Sequence, residues 1–262
     1  MRMPGVASTA LLGLLDGPGT AASVLGTSRH AVWLAANNDV IVVSTADTTR
    51  LPNGVQISTR SQEDPFRLIS HGESASVGHR SLILETVAVN VTRWWDPRPV
   101  LVSTDPEHLI TAVADLPDSV THIDPAPLRS ALQTRSAAGI VAASHSLLGK
   151  GPGLTPEGDD YLAGALAATY LLGEALGREQ ISALIDSIST PLARLAAERT
   201  TSLSAALIRC ALRGYVAEPA GALLRALTGR GDVTHSHLRL AQVGHSSGPA
   251  LAAGVVLGAR SI

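Results

Sequence analysis

The spacing of apolar positions changes character near the middle of the chain. From about residue 20 to 103 the apolar runs are short: AVWLA, DVIVVST, GVQIST, PFRLIS and SLILETVAVNVTRWW. Asn37-Asn38, Pro52-Asn53-Gly54, Asp64-Pro65 and His71-Gly72 separate them, and these are turn-forming pairs. Val87, Val89 and Val91 alternate with Ala88, Asn90 and Thr92, the period of a strand with one buried face. These runs predict an antiparallel barrel or sandwich that exits at Asp96-Pro97-Arg98-Pro99, with VLVST as a further strand. Beyond residue 104 alanine and leucine replace the β-branched residues. Helices are expected in EHLITAVADL, PLRSALQTRSAAGIVAASHSLLG, YLAGALAATYLLGEAL, REQISALIDSI, PLARLAAERTTSLSAALIRCALRGY, AGALLRALTG and PALAAGVVLG. Gly149, Gly173, Gly214 and Gly229 stand where such helices should stop. The expected fold class is α+β: an N-terminal antiparallel β-barrel-like domain over residues 1–103, then a mostly α-helical domain over 104–262. Small residues on several helix faces should allow close packing.

The opening MRMPGVASTALLGLLDGPG reads as a weak secretory signal or as a short first helix ended by Gly17-Pro18-Gly19; its thin basic region favours the helix. No apolar run approaches the roughly 20 residues of a membrane span. At 262 residues and 45% hydrophobic content the chain has ample material for a core. Only 16% of residues are charged, the net charge is −2 and no block of like charge occurs, which argues against nucleic acid and acidic membrane surfaces as partners. A single cysteine, Cys210, excludes an intrachain disulfide and fits a cytoplasmic location.

Candidate chemistry concentrates in GKGPGLTPEGDDYLAG, residues 149–164. Thr155-Pro156-Glu157 reads as a helix start, with threonine as N-cap and proline at the first helical position. Before it, Gly149, Gly151 and Gly153 alternate with Lys150 and Pro152, so the backbone can approach a ligand closely. Gly158 in the first turn, a poor helix former, also suggests close approach by another group. A glycine loop entering a helix N-terminus beside a lysine suits a phosphate or carboxylate. It is no Walker A loop, because Gly151 follows Lys150 and Ser144 stands where the upstream glycine is required. The helical run before it also argues against a dinucleotide fingerprint.

Asp159 and Asp160 have two readings. Acidic residues in a first turn are favoured by the helix dipole alone; alternatively one acts as general base or orients a polar substrate, with or without Mg²⁺. Adjacent helical residues diverge by roughly 100°, so the two should differ in role. GHSSGPALAAGVVLG, residues 244–258, repeats the device. Placing Gly158 to Gly164 over Gly248 to Gly254 aligns both glycines and the final Ala-Gly pair. Two helix starts could meet at one site, or Ser247 could simply cap an ordinary helix. His245 reads as an acid/base, an oxyanion donor or a plain loop histidine. His235 and His237 fall on a segment expected to be exposed, with no ligand cluster that would suggest zinc. Thr200, Thr201 and Ser204, read as helical, could project hydroxyls into the same pocket or bond back to their own backbone.

GPGLTPEGDDYLAG, TTSLSAALIRCALRG and GHSSGPALAAG, in that order, resemble the AllH-like family, bacterial proteins one of which is a subunit of oxamate carbamoyltransferase. The resemblance covers about residues 140 to 258. It implies work with partner subunits on exchange of a carbamoyl group between oxalurate and phosphate, giving oxamate and carbamoyl phosphate. The family commonly has an acid where Ala250 stands, which suggests a changed substrate or weakened activity. On this reading Lys150, Gly151, Gly153, Leu154, Thr155, Gly158, Thr201, Ser204, Ser246, Ser247 and Gly248 hold a small anion such as phosphate, carbamoyl phosphate or an oxamate-like metabolite. Asp159, Asp160 and His245 are the candidates for catalysis. A non-catalytic scaffold subunit that binds a nucleotide or small anion is the alternative, and a homo-oligomer is compatible with either.

Overall fold

A computed structural model describes residues 2–118, 120 and 122–262. Two compact units divide the chain, 1–97 and 98–262. The first is a closed eight-stranded barrel. Its strands are β1 (Arg2–Ser8), β2 (Thr20–Thr27), β3 (Ala31–Ala36), β4 (Asp39–Ser44), β5 (Gly54–Ile57), β6 (Ser74–Gly78), β7 (Ser81–Ile83) and β8 (Ala88–Trp95). Around the barrel the order is β1-β5-β4-β3-β2-β6-β7-β8. Most pairings are antiparallel as expected, but β4–β5 and the closing β1–β8 pair are parallel. Leu34, Ile41, Val55, Ile57, Leu82 and Val89 fill the interior, together with Val87 and Val91.

The opening stretch expected to be helical is a strand. Met3, Gly5 and Ala7 face inward or pack closely while Arg2 and Pro4 are exposed, so a two-residue period wins; helical structure is confined to a 3-10 turn at Thr9–Leu11 and the short α1 (Leu12–Leu15) that follows it. A Cβ on Gly5 would lie 2.7 Å from Val89 and 3.0 Å from Val55, so this glycine lets β1 wedge between its neighbours. PFRLIS forms turns rather than a strand, although Phe66 and Ile69 enter the barrel core. VLVST has no regular structure.

The second unit comprises α2 (Pro106–Val113), α3 (Ala126–Gln133), α4 (Ala137–Leu147), α5 (Glu157–Ala175), α6 (Glu179–Arg199), α7 (Ser202–Ala211), α8 (Glu218–Leu227), α9 (Val233–Ala241) and α10 (Ser247–Arg260). The run 127–149 is two helices, interrupted where Arg135 takes φ +53° and Ser136 caps α4 by accepting from the Gly139 amide. In contrast, α6 continues through Pro191, joining two segments expected to be separate. Gly173 does not end a helix; it sits within α5, where a Cβ would meet Ile181 at 2.6 Å, and the chain turns at Gly177 instead. The segment with His235 and His237 is α9, and His237 is buried rather than exposed.

The unit is organised around α5, in which every residue from Gly158 to Thr169 is buried. A helix apolar on all sides belongs in the middle of a bundle. Its principal neighbour is α10, which runs parallel to it at backbone contact. A Cβ on Gly164 would lie 2.4 Å from the Leu251 carbonyl, one on Gly254 2.1 Å from the Tyr161 carbonyl, and one on Gly258 2.5 Å from the Ala165 carbonyl. The contacts are reciprocal: the superposition that carries Gly164 onto Gly254 also carries Tyr161 onto Leu251. Parallel packing brings both helix starts to the same end of the unit.

Candidate functional site

At that end a hydrogen bond of 2.8 Å joins Thr155 Oγ1 to Ser247 Oγ, linking the two glycine-rich entries. Neither residue caps its helix as expected. Pro156 is the N-cap of α5, held extended at φ −52°, ψ 143°, and its carbonyl accepts from the Asp159 and Asp160 amides. Ser246 occupies the N-cap of α10 without a side-chain cap bond, and its carbonyl accepts from the Ala250 amide. Thr155 and Ser247 are therefore able to bond each other.

Gly149, Gly151 and Gly153 take φ of +73°, +115° and +95°, the left-handed region where a side chain is strained. The loop they form is exposed from Gly149 to Leu154. Among the described residues, the amides of Gly151, Gly153, Leu154 and Thr155 donate to no protein acceptor. What approaches Gly158 closely is the protein itself: a Cβ there would meet the Leu147 carbonyl at 2.1 Å, and its amide donates to the Lys150 carbonyl at 2.9 Å. Gly248 is enclosed in the same way by the Leu240 and Val243 carbonyls, with its amide bound to Val243. These two amides are committed within the protein.

The adjacent aspartates diverge as helical geometry requires. Asp159 is fully engaged: Oδ1 accepts from the Gly149 amide at 2.8 Å, and Oδ2 accepts from the Thr200 hydroxyl. Asp160 is 8% exposed, and its Oδ2 has no hydrogen-bond partner. A buried, unpartnered carboxylate oxygen is costly and calls for a physical cause. Desolvation pushes Asp160 up to about 7; the Ser247 and Thr155 hydroxyls oppose that rise, and the neighbouring Asp159 and Glu157 charges add to it. Near neutral pH the group can hold or release a proton.

Thr201 caps α7 by accepting from the Ser204 amide at 3.1 Å, and its hydroxyl donates to the Leu154 carbonyl at 2.6 Å. The buried Ser204 hydroxyl reaches the same carbonyl at 3.5 Å. Neither Thr200 nor Thr201 is helical; they form the break between α6 and α7. The hydroxyls thus reach the glycine loop from an elbow, not from a helix face. Thr200 is the residue whose weight the sequence conceals, because its link to Asp159 spans distant segments. Lys150 and His245 are exposed at the rim. Among the described residues no group of three His, Cys, Asp or Glu side chains could hold a metal ion. No helix among them is long and apolar enough to cross a membrane. A cleft of about 620 Å³, lined by Leu109, Ile110, Val113, Arg129 and Arg260, lies apart from these residues.

No curated protein and no solved structure matches the chain. Residues 147–259, which span the glycine loop, the Thr200–Thr201 elbow and both converging helix starts, match the family model described as oxamate carbamoyltransferase subunit AllH.

Proposed function

We propose that this chain is a cytoplasmic subunit of an oxamate-carbamoyltransferase-type complex and supplies its anion-binding and proton-transfer site. The family match supports the reaction class. The observation that carries the chemistry is the unpartnered Oδ2 of Asp160, buried where α5 and α10 begin together. The uncommitted loop amides, the exposed Lys150 and two helix dipoles suit a carboxylate or phosphoryl group.

In this reading phosphate oxygen attacks the carbamoyl carbon of oxalurate, and the bond from that carbon to the oxamate nitrogen breaks. The departing nitrogen takes a proton from Asp160, which regains one from the attacking phosphate. In reverse, the same carboxylate takes the proton from oxamate nitrogen. A group near neutrality serves both directions. Ser246, Ser247 and His245 lie at the α10 entry, where they could contact the other end of the substrate.

The test uses the chain reconstituted with its partner subunits. Asp160→Asn should lower carbamoyl phosphate formation by about a hundredfold or more, the usual scale for a lost acid/base group, while calorimetric affinity for inorganic phosphate changes little. Unchanged turnover would remove Asp160 from the chemistry. A second reading is a subunit that only holds the anion, favoured by the exposure of both Lys150 and His245. It predicts phosphate or carbamoyl phosphate binding to this chain with turnover indifferent to Asp160→Asn.

A further inference from the structure

The glycine loop is restrained at both ends by one other element. At its start, Gly149 presses against the end of α6: a Cβ there would lie 2.6 Å from the Arg199 carbonyl. The next residue, Thr200, has φ −136° and ψ −176°, and Thr201 has φ −66° and ψ 153°, so the chain is extended between α6 and α7. An extended pair sends consecutive side chains in opposite directions, which a helix cannot do. The Thr200 hydroxyl donates to Asp159, whose other oxygen holds the Gly149 amide. The Thr201 hydroxyl holds the carbonyl of Leu154, at the far end of the loop.

We infer that Thr200 and Thr201 are positioning residues that clamp the two ends of the glycine loop, and that Asp159 is the bridge of this clamp, leaving Asp160 as the reacting carboxylate. The inference rests on the reading of the loop as an anion cradle. A segment with three glycines in left-handed conformations is entropically costly to order, because glycine loses more backbone freedom than any other residue. Clamping it in the free protein means that the ligand does not have to order it. It also explains how two neighbouring aspartates differ: one is saturated by the clamp, the other has an oxygen to spare.

The test has two arms on the full-length chain. In the first, hydrogen exchange is followed at the Gly149, Lys150 and Gly158 amides without ligand. Thr200→Val should speed exchange at Gly149 by about tenfold or more, as expected on removing one charge-assisted hydrogen bond. Thr200→Ser should restore protection, and amides of α8 and the end of α10 should not change. In the second arm, calorimetry with inorganic phosphate and carbamoyl phosphate should show Thr200→Val and Thr201→Val weakened by about tenfold, with Thr200→Ser close to the parent. Unaltered protection at Gly149 in Thr200→Val overturns the clamp, and so does a uniform rise across the whole helical unit. Faster exchange at Gly149 in Thr200→Val, together with a parent chain that binds neither anion, leaves the clamp standing and removes the cradle reading instead.

Discussion

Replacing Asp160 by Asn isolates the electrostatic consequence of burying a carboxyl group. A free aspartate titrates near 4, whereas desolvation carries Asp160 to about 7. Below about pH 4 both native and unfolded chains hold this proton, and the group is neutral to stability. Between 4 and 7 the unfolded chain has released the proton that the native state keeps, so stability falls as pH rises. Above 7 the loss is complete. Three pH units at about 1.4 kcal/mol each give a loss of up to about 4 kcal/mol. The Asn variant cannot titrate, so its stability relative to the parent should rise by that order between pH 4.5 and 8. Its uncommitted amide adds a penalty of about 1–3 kcal/mol, but one that does not vary with pH. The slope of the difference is therefore the readout. All three tryptophans, Trp33, Trp94 and Trp95, lie in the barrel, so denaturant unfolding should be followed by helical circular dichroism. A difference between variant and parent that stays constant from pH 4.5 to 8 would refute the assigned burial and protonation of Asp160.

His237 gives a dependence of opposite sign. Burial lowers its pKa, so the native state resists protonation, and stability should fall as pH drops below about 6.5; His237→Gln should flatten the acid limb of the same titration. Gly254→Ala would put a methyl group 2.1 Å from the Tyr161 carbonyl, and thermal melting should show a loss of about 3 kcal/mol or more as α5 and α10 are forced apart. The mostly buried Asp118 carboxylate bridges Arg129 at 2.6 Å and Arg260 at 3.1 Å. Asp118→Ala should cost only about 1 kcal/mol in denaturant unfolding, because Arg129 is partly exposed and Arg260 keeps its hydrogen bonds to the Val113, Ala114 and Leu116 carbonyls. A methyl group added at Gly13, inside α1, would meet nothing within 4 Å; Gly13→Ala should stabilise the barrel by about 0.5–1 kcal/mol, read by tryptophan fluorescence.

The two-part architecture is legible because β-branched runs such as DVIVVS and alanine-leucine runs such as YLAGALAATYLL carry strong, different periods. β1, β2 and β6 are not, since RMPGVAS, TAASVLGT and SASVG are rich in small residues; β1 pairs only with the remote β5 and β8, and β2 and β6 pair with each other across about 50 residues as well as in short hairpins to β3 and β7. PFRLIS misleads in the other direction. Its Phe66 and Ile69 are buried as a strand's would be, but they plug the barrel from a series of turns. At the candidate site the glycines, Thr155, Ser247 and the paired aspartates are visible as local grammar. Gly158 signals close approach by another group, and that group is the Leu147 carbonyl of the chain itself. The separation of Asp159 from Asp160 depends on Thr200, remote in the chain, and on which oxygen is left without a donor. No local pattern encodes either fact.

The parallel seam between β1 and β8 has a consequence for biogenesis. Among the barrel strands β1 is made before both of its partners, β5 and β8, and its second edge must wait for residues 88–95 to emerge. Such long-separation pairing slows folding. During translation β1 exposes two unsatisfied edges, and the nascent barrel is then most vulnerable to mispairing with another copy.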